Sequence, residues 1–177
     1  MRQGVAEKPD FRTKTILVLD DSMLMRTLLR EVSRAFEFGR THATGSIHDA
    51  LRIFASGGAD IAIVDWLLEG EIGVDFIRAI RHGYPDPVRR KPIIMCTAYT
   101  DLKRLRIARD AGVNEILTKP FLPERVYDAL FNVLFRPRPF VVSAAFVGPD
   151  RRRAQIKIDF PDRRAAEAPS AGAIELD

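Results

Sequence analysis

The chain has 177 residues, of which 46% are hydrophobic and 29% charged, as in a soluble protein with one full core and some chain to spare. No apolar run approaches the roughly 18 residues of a membrane span, the amino terminus lacks the apolar core of a secretory signal, and the single cysteine excludes an internal disulfide or a cysteine-based zinc cluster. We therefore expect a cytoplasmic protein, whose net charge of +4 comes largely from short arginine runs of the kind that are usually solvated.

Four apolar runs predict strands that are buried on both faces, as in a parallel sheet, because they are rich in β-branched residues and each ends at a polar side chain. They are residues 15–19 before Asp20 and Asp21, residues 61–64 before Asp65, residues 92–96 before Thr97, and residues 115–118 before Lys119. A fifth, weaker strand is predicted over residues 41–44.

Segments with helical spacing of apolar residues alternate with these strands. Ser22 and Ser46 are the predicted caps of the first two helices, and Gly112 is the predicted end of the fourth. The remaining helices are predicted over residues 74–82 and 123–135, and residues 67–73 are predicted to form a loop. The alternation predicts an α/β fold with a doubly wound, five-stranded parallel sheet in the order 2-1-3-4-5.

Three segments follow from this pattern: a flexible lead-in over residues 1–13, an α/β domain over 14–135, and an arm or tail over 136–177, partly disordered. Residues 140–147 are too apolar to remain in water, so they are expected to pack as a strand or an extended arm. Such an arm could join two subunits in a dimer. A Pro-Asp-Arg-Arg sequence begins at Pro149 and is repeated at Pro161.

The polar residues at the strand ends are expected to share one crevice, because ligands of an open α/β sheet bind beyond the carboxyl ends of its strands. Two carboxylates about 4 Å apart repel by about 4 kcal/mol at an effective dielectric constant near 20, so three together favour a divalent cation. With no histidine or cysteine ligands nearby, Mg²⁺ is favoured over zinc.

The same residues predict a phosphoryl-transfer site. Asp65 is the expected nucleophile, which would become an aspartyl-phosphate. Asp20 and Asp21 are expected to hold the metal, Lys119 to pair with one phosphate oxygen, and Thr97 to donate a hydrogen bond to another.

These motifs resemble the signature of response-regulator receiver domains, the CheY-like family, over about residues 13–135. The matching elements are Asp20-Asp21, Asp65 before Trp66, Thr97-Ala98, and Lys119-Pro120-Phe121. The resemblance implies a flavodoxin-like fold and a two-component response regulator that receives a phosphoryl group on Asp65 from a histidine kinase or phosphotransfer protein. Output would pass through protein contacts, without enzymatic activity beyond slow autodephosphorylation. It also implies that the backbone carbonyl of Leu67 completes the metal site and that the peptide bond before Pro120 is cis.

The sequence departs from the family pattern at two functional positions. Ile116 stands where the family usually has an aromatic switch residue, so Tyr99 is a possible substitute that would act with Thr97. Leu67, two residues after Asp65, is apolar and cannot position an attacking water molecule, which predicts slow autodephosphorylation. The loop after Asp65 also lacks the usual proline.

Several alternatives stay open at this point. Residues 140–147 and 151–153 could form a binding module for nucleic acid or an acidic protein, gated by the receiver. A pseudo-receiver that is never phosphorylated is disfavoured by the intact acids and lysine. A haloacid-dehalogenase-like phosphatase is disfavoured because Leu67 stands where that chemistry needs a second aspartate. Asp20 and Asp21 could also be no more than helix-capping acids.

Overall fold

The computed structural model describes residues 9–99 and 101–151. Its first half contains β1 (Thr15–Leu19), α1 (Met23–Ala35), β2 (Arg40–Thr44), α2 (Ile47–Ala55), β3 (Ile61–Asp65), β4 (Leu67–Leu68), β5 (Glu71–Ile72) and α3 (Gly73–Gly83). A short 3-10 helix, Val88–Arg90, precedes β6 (Ile93–Thr97), α4 (Leu102–Ala111), β7 (Glu115–Thr118), α5 (Pro123–Phe135), β8 (Phe140–Ser143) and β9 (Phe146–Pro149).

The central sheet has five strands in the order β2-β1-β3-β6-β7, and every neighbouring pair is parallel. This confirms the predicted doubly wound order. The three inner strands are almost completely buried because helices cover both faces. Buried side chains of α2, α3 and α4 pack on one face, and those of α1 and α5 on the other.

The helix boundaries follow the predicted caps. The Ser22 side chain accepts a hydrogen bond from the backbone of Met25, and that of Ser46 accepts one from Asp49, so each hydroxyl satisfies a donor of the first helical turn. Gly112 ends α4 in the left-handed conformation, with φ +95°. Among the described residues, no helix is both long and apolar enough to cross a membrane.

The segment after Asp65 forms a small hairpin, so the prediction of a loop over residues 67–73 missed two short strands. β4 pairs antiparallel with β5, with Leu67 opposite Ile72. Gly70 takes the left-handed conformation in the connecting turn, with φ +75°. Strands of two residues are too short to produce an alternating pattern, which is why the sequence did not indicate them.

The apolar segment after α5 also forms a hairpin, in which β8 pairs antiparallel with β9. The prediction of a strand is met, but the chain folds back on its own domain rather than extending away. Phe146 and Val147 are buried, and β9 contacts α3 and α4. Part of the apolar surface that motivated an arm-mediated dimer is therefore covered within the chain, while Val142 at the end of β8 remains 49% exposed.

Two parts of the expected organisation lie outside the described residues. They are residues 1–8 of the lead-in, and residues 152–177, which include the second Pro-Asp-Arg-Arg sequence.

Candidate functional site

The sheet topology brings the predicted site residues to one edge. Asp20 follows β1, Asp65 ends β3, Thr97 ends β6 and Lys119 follows β7. The chain leaves β1 toward β2 on one side and later enters β3 on the other, so the switch point lies between β1 and β3. Asp20 and Asp65 therefore face each other across the crevice at this switch point.

Lys119 joins the two facing acids directly. Its Nζ lies 3.1 Å from Oδ2 of Asp20 and 3.0 Å from Oδ1 of Asp65. Asp21 completes the cluster, because one carboxylate oxygen from each of the three aspartates lies within 4.8 Å of the others. Asp20 is buried, the side chains of Asp65 and Lys119 are 14% and 18% exposed, and Asp21 is exposed.

The cluster carries an excess of negative charge, since three carboxylates and one ammonium group sum to a formal charge of −2. Burial raises the pKa of Asp65, even though the hydrogen bond and positive charge of Lys119 act to lower it. Burial also acts to lower the pKa of Lys119, but the hydrogen bonds and charges of Asp65 and Asp20 outweigh it and raise that pKa. The ammonium group is therefore held in its charged form.

The donor set fits a hard divalent cation. The three candidate ligands are all carboxylate oxygens, which Mg²⁺ prefers, and a divalent ion would neutralise the remaining charge. Opposite ligands of octahedral Mg²⁺ lie about 4.2 Å apart, twice the metal–oxygen distance. Adjacent ligands lie about 3 Å apart, so oxygens within 4.8 Å of one another would have to approach by up to about 2 Å to hold one ion.

Backbone groups and Arg26 hold the acids in place. The Ser22 amide donates to Oδ1 of Asp20 at 2.9 Å, and the Trp66 amide donates to Oδ1 of Asp65 at 2.8 Å. The Arg26 guanidinium donates to the backbone carbonyls of Asp20 and Asp21, at 2.6 and 2.8 Å. The helix cap is Ser22, so capping does not account for the paired acids. Sequence analysis missed Arg26. The only indication in the sequence was that Arg26 lies one helical turn after the predicted cap, Ser22.

Gly73 is a second residue that sequence analysis missed. A Cβ atom there would lie 1.9 Å from the Asp65 carbonyl oxygen and 2.7 Å from a Val64 methyl group. Only glycine lets α3 begin this close to the end of β3, and the Gly73 amide donates to the Trp66 carbonyl. The available signal was a glycine at the end of the predicted loop after Asp65, directly before the predicted helix over residues 74–82.

Thr97 is adjacent to the acids but bonded elsewhere. It is one residue beyond Cys96, which pairs with Asp65 across the sheet. Its buried hydroxyl accepts a hydrogen bond from the Tyr99 amide at 2.9 Å. The structure therefore brings Asp20, Asp21, Asp65 and Lys119 together, while Thr97 stands beside them with its hydroxyl on the turn that leads to α4.

The other two proposed switch residues lie farther along that turn and on β7. The Tyr99 ring is partly exposed and lies 4.0 Å from the guanidinium of Arg104, which is paired with Asp101 at 2.8 Å. Ile116 is half-buried, packs against the core, and lines a groove between α4 and β7.

Two further expectations concern the rim of the site. Leu67 begins the small hairpin and is 53% exposed, beside its partner Ile72, which is also exposed. The Lys119–Pro120 peptide bond is cis; so is the Asp86–Pro87 bond, which the sequence did not indicate.

Comparison with known proteins gives one family. A family model described as the response regulator receiver domain matches residues 16–131. The chemotaxis protein CheY of Pseudomonas aeruginosa is 29% identical over 121 residues, which cover 68% of this chain and 96% of that protein. CheY of Halobacterium salinarum is 30% identical over 122 residues, covering 68% and 97%.

The solved structures agree with this match. A putative response regulator from Chloroflexus aurantiacus superposes with a TM-score of 0.63 at 28% identity, covering 69% of this chain and 98% of that one.

Proposed function

The chain belongs to the response regulator receiver domain family, and from that premise we propose that Asp65 is its phosphoryl acceptor. The protein is a two-component response regulator. In the proposed reaction a carboxylate oxygen of Asp65 attacks the phosphorus of a phosphohistidine on a histidine kinase or phosphotransfer protein. The P–O bond forms as the P–N bond breaks, and the imidazole nitrogen keeps the electron pair.

The single observation that carries this proposal is the bridge made by Lys119 between Asp20 and Asp65. The ammonium group stands where negative charge would develop on a transferred phosphoryl group, and the acids that hold it raise its pKa. The Lys119 and Trp66 contacts both engage Oδ1 of Asp65, which leaves the second carboxylate oxygen for the phosphoryl group or the metal.

We assign the metal to Asp20, Asp21 and Asp65, with the backbone carbonyl of Leu67 as a further ligand. When bound, Mg²⁺ would neutralise the acids and the charge of the incoming phosphoryl group. The chain's own contribution is to orient the carboxylates of Asp20 and Asp65 through the backbone amides of Ser22 and Trp66.

Thr97 is the proposed sensor of phosphorylation. Its hydroxyl would turn from the Tyr99 backbone to a phosphoryl oxygen, which breaks the hydrogen bond from the Tyr99 amide. Because Ile116 cannot respond as an aromatic ring does, the change would reach α4 through Tyr99 and its contact with Arg104.

The phosphodonor is proposed to dock on apolar side chains beside the pocket. Met23 and Leu24, at the start of α1, are 74% and 81% exposed, and Leu122, three residues after Lys119, is 68% exposed. Large exposed apolar side chains that converge on one edge are typical of a protein-binding surface. The protein would act this way in the cytoplasm and signal to its target by contact.

The second candidate, a nucleic-acid or acidic-protein binding module, has less support in the described residues. Arg151, the first arginine of its basic run, is paired with Asp110 at 2.7 Å and lies 3.7 Å from the Phe146 ring. Arg152 and Arg153 lie outside the described residues.

Beryllofluoride binding tests the proposal, since beryllofluoride mimics a phosphoryl group on an aspartate. With Mg²⁺ present, we expect saturable binding that changes the fluorescence of Trp66, the only tryptophan and the neighbour of Asp65. Asp65→Asn should abolish the change, while the exposed acid variant Asp75→Asn should retain it. Equal responses from wild type and Asp65→Asn would contradict the assignment.

A further inference from the structure

The C-terminal hairpin, β8 and β9, lies beyond the part of the chain that matches the receiver family, which ends at residue 131. It nevertheless packs on the domain as an integral part, because Phe146, Val147, Gly148 and Pro149 are all buried. Its role is therefore not explained by the family match and must be sought in what it contacts.

The hairpin holds the carboxyl end of α4. Arg151 pairs with Asp110 of α4 at 2.7 Å while its guanidinium lies 3.7 Å from the Phe146 ring. Gly148 and Gly112 pack so closely that a Cβ on Gly148 would lie 2.7 Å from the Gly112 Cα. An ion pair and a close contact between two backbone segments therefore hold this end of the helix in place.

The amino end of the same helix is tied to the acid pocket, the cluster of Asp20, Asp21, Asp65 and Lys119. Asp101 caps α4 by accepting from the Arg104 amide at 3.0 Å, and the Arg104 side chain covers the Tyr99 ring. Tyr99 in turn donates its amide to the Thr97 hydroxyl. A ten-residue helix is about 15 Å long and transmits a shift of one end to the other, so α4 connects Thr97 with the hairpin.

We propose that the C-terminal hairpin is a clamp that holds α4 in its unphosphorylated position and thereby opposes phosphorylation of Asp65. The inference rests on the proposed function of Asp65. For the Thr97 hydroxyl to reach a phosphoryl oxygen, its bond with Tyr99 must break and the start of α4 must adjust. The hairpin resists that adjustment at the other end of α4. Phosphorylation of Asp65 and release of the hairpin from α4 are therefore coupled, and each must favour the other by the same free energy.

The test measures beryllofluoride affinity, with Mg²⁺, by Trp66 fluorescence in the full chain. Phe146→Ala removes the buried ring of the clamp, and we expect it to bind beryllofluoride about threefold more tightly, or more. Reciprocally, beryllofluoride should increase amide hydrogen exchange over residues 140–149 of the wild type. Affinity that is unchanged or weakened in Phe146→Ala would overturn the clamp.

The exposed ion pair gives a second, milder test that holds if Phe146→Ala does not fold. Arg151→Ala and Asp110→Ala should each tighten binding by up to about twofold, and the double variant should do no more than either alone. Arg52→Ala is the matched control, since Arg52 pairs with Asp49 at 3.6 Å on α2, away from the hairpin. If the paired variants behave like the Arg52 control, the ion pair is not part of a clamp.

Failure of the proposed function gives a different result. Wild type that binds no beryllofluoride, or Asp65→Asn that binds it equally well, would remove the acceptor and the clamp together. Normal wild-type binding with no effect of the hairpin variants would remove the clamp alone.

Discussion

In the part of the chain that the structure describes, charge is buried at opposite ends of the sheet, and it is compensated differently at the two ends. At the carboxyl ends of the strands, Asp20, Asp65 and Lys119 form an ionic cluster that is short of positive charge. Near the amino ends of β6 and β7, Arg81 is completely buried and has no carboxylate partner among its hydrogen bonds.

The Arg81 guanidinium is bonded entirely to neutral oxygens. It donates to the backbone carbonyls of Gly112, Arg89 and Lys91 and to the side-chain oxygen of Asn114, at 2.7–2.9 Å. Burial lowers the pKa of Arg81 to about 9, which still leaves it charged at neutral pH. Four of the five N–H groups are bonded to the chain itself, so this buried charge joins α3 to the segments before β6 and β7.

The comparison separates a structural charge from a functional one. At Arg81 four N–H groups are bonded to acceptors of the chain itself, whereas at the acid pocket three carboxylates face a single ammonium group. Substitution of a structural buried charge such as Arg81 should lower the free energy of unfolding. Substitution of a functional one should affect binding.

The largest expected effect comes from removal of the structural charge, that of Arg81. Arg81→Met would take this donor from three backbone carbonyls and leave the Asn114 side-chain oxygen with the Ile93 amide alone, so we expect a loss of about 3–5 kcal/mol in the free energy of unfolding, measured by chemical denaturation. Arg78→Met is the control on the same helix. Arg78 is exposed and makes one ion pair, with Asp75 at 3.3 Å, so its loss should stay within about 0.5 kcal/mol.

Beryllofluoride affinity of the folded Arg81→Met protein, measured below its denaturation midpoint, should stay within a fewfold of wild type. An unfolding free energy equal to that of the Arg78 control would show that the Arg81 network is not structural.

The next largest effect is expected from removal of the charge of Lys119 in the acid pocket. Lys119→Met removes the cation that bridges the side chains of Asp20 and Asp65, so beryllofluoride affinity should fall by about 10²–10³-fold, as when one donor to a developing negative charge is removed. Mg²⁺ affinity should rise instead, because the acids lose a competing positive charge. Both affinities are measured by titration of Trp66 fluorescence.

Lys91→Met is the matched control, since Lys91 is also partly buried but donates to the carbonyls of Phe54 and Ala59. It should lower stability and leave both affinities unchanged. Loss of beryllofluoride binding in the Lys91 variant, or its retention in the Lys119 variant, would erase the distinction between the two kinds of buried charge.

The smallest expected effect concerns the lifetime of the phosphoryl group in the acid pocket. Leu67 is exposed beside Asp65 and carries no group that can orient water, so the aspartyl-phosphate should hydrolyse slowly. Leu67→Asn should shorten its half-life about tenfold, a barrier change of about 1.4 kcal/mol. Leu68→Met, at a buried neighbouring position, is the control. A half-life in the wild type no longer than in Leu67→Asn would contradict this assignment.

The central fold and the pocket were predictable because both depend on local sequence patterns. Runs of β-branched residues marked the strands, and each run ended in the polar residue that the sheet then placed in the crevice. The sequence therefore located Asp20, Asp65 and Lys119 although 45 and 54 positions separate them along the chain.

What was missed depends on contacts between distant segments. Arg81 looks like an ordinary arginine near the end of an amphipathic helix, and only the packing of residues 89–91 and 112–114 around it makes it a buried junction. The C-terminal hairpin turns at Ala144 and Ala145, which are not turn-forming residues. Gly73 matters because it approaches the end of β3 closely, and Arg26 because it donates to the backbone carbonyls of Asp20 and Asp21; no sequence pattern locates these contacts.

The most direct test of the account is to find where the phosphoryl group goes. After incubation with acetyl phosphate and Mg²⁺, intact-mass measurement followed by peptide mapping should show one added phosphoryl group, on the peptide that contains Asp65. Removal of Mg²⁺ by chelation and the Asp65→Asn variant should each prevent the addition. A phosphoryl group on another residue, or an equal yield from Asp65→Asn, would contradict the claim that this pocket is the acceptor site.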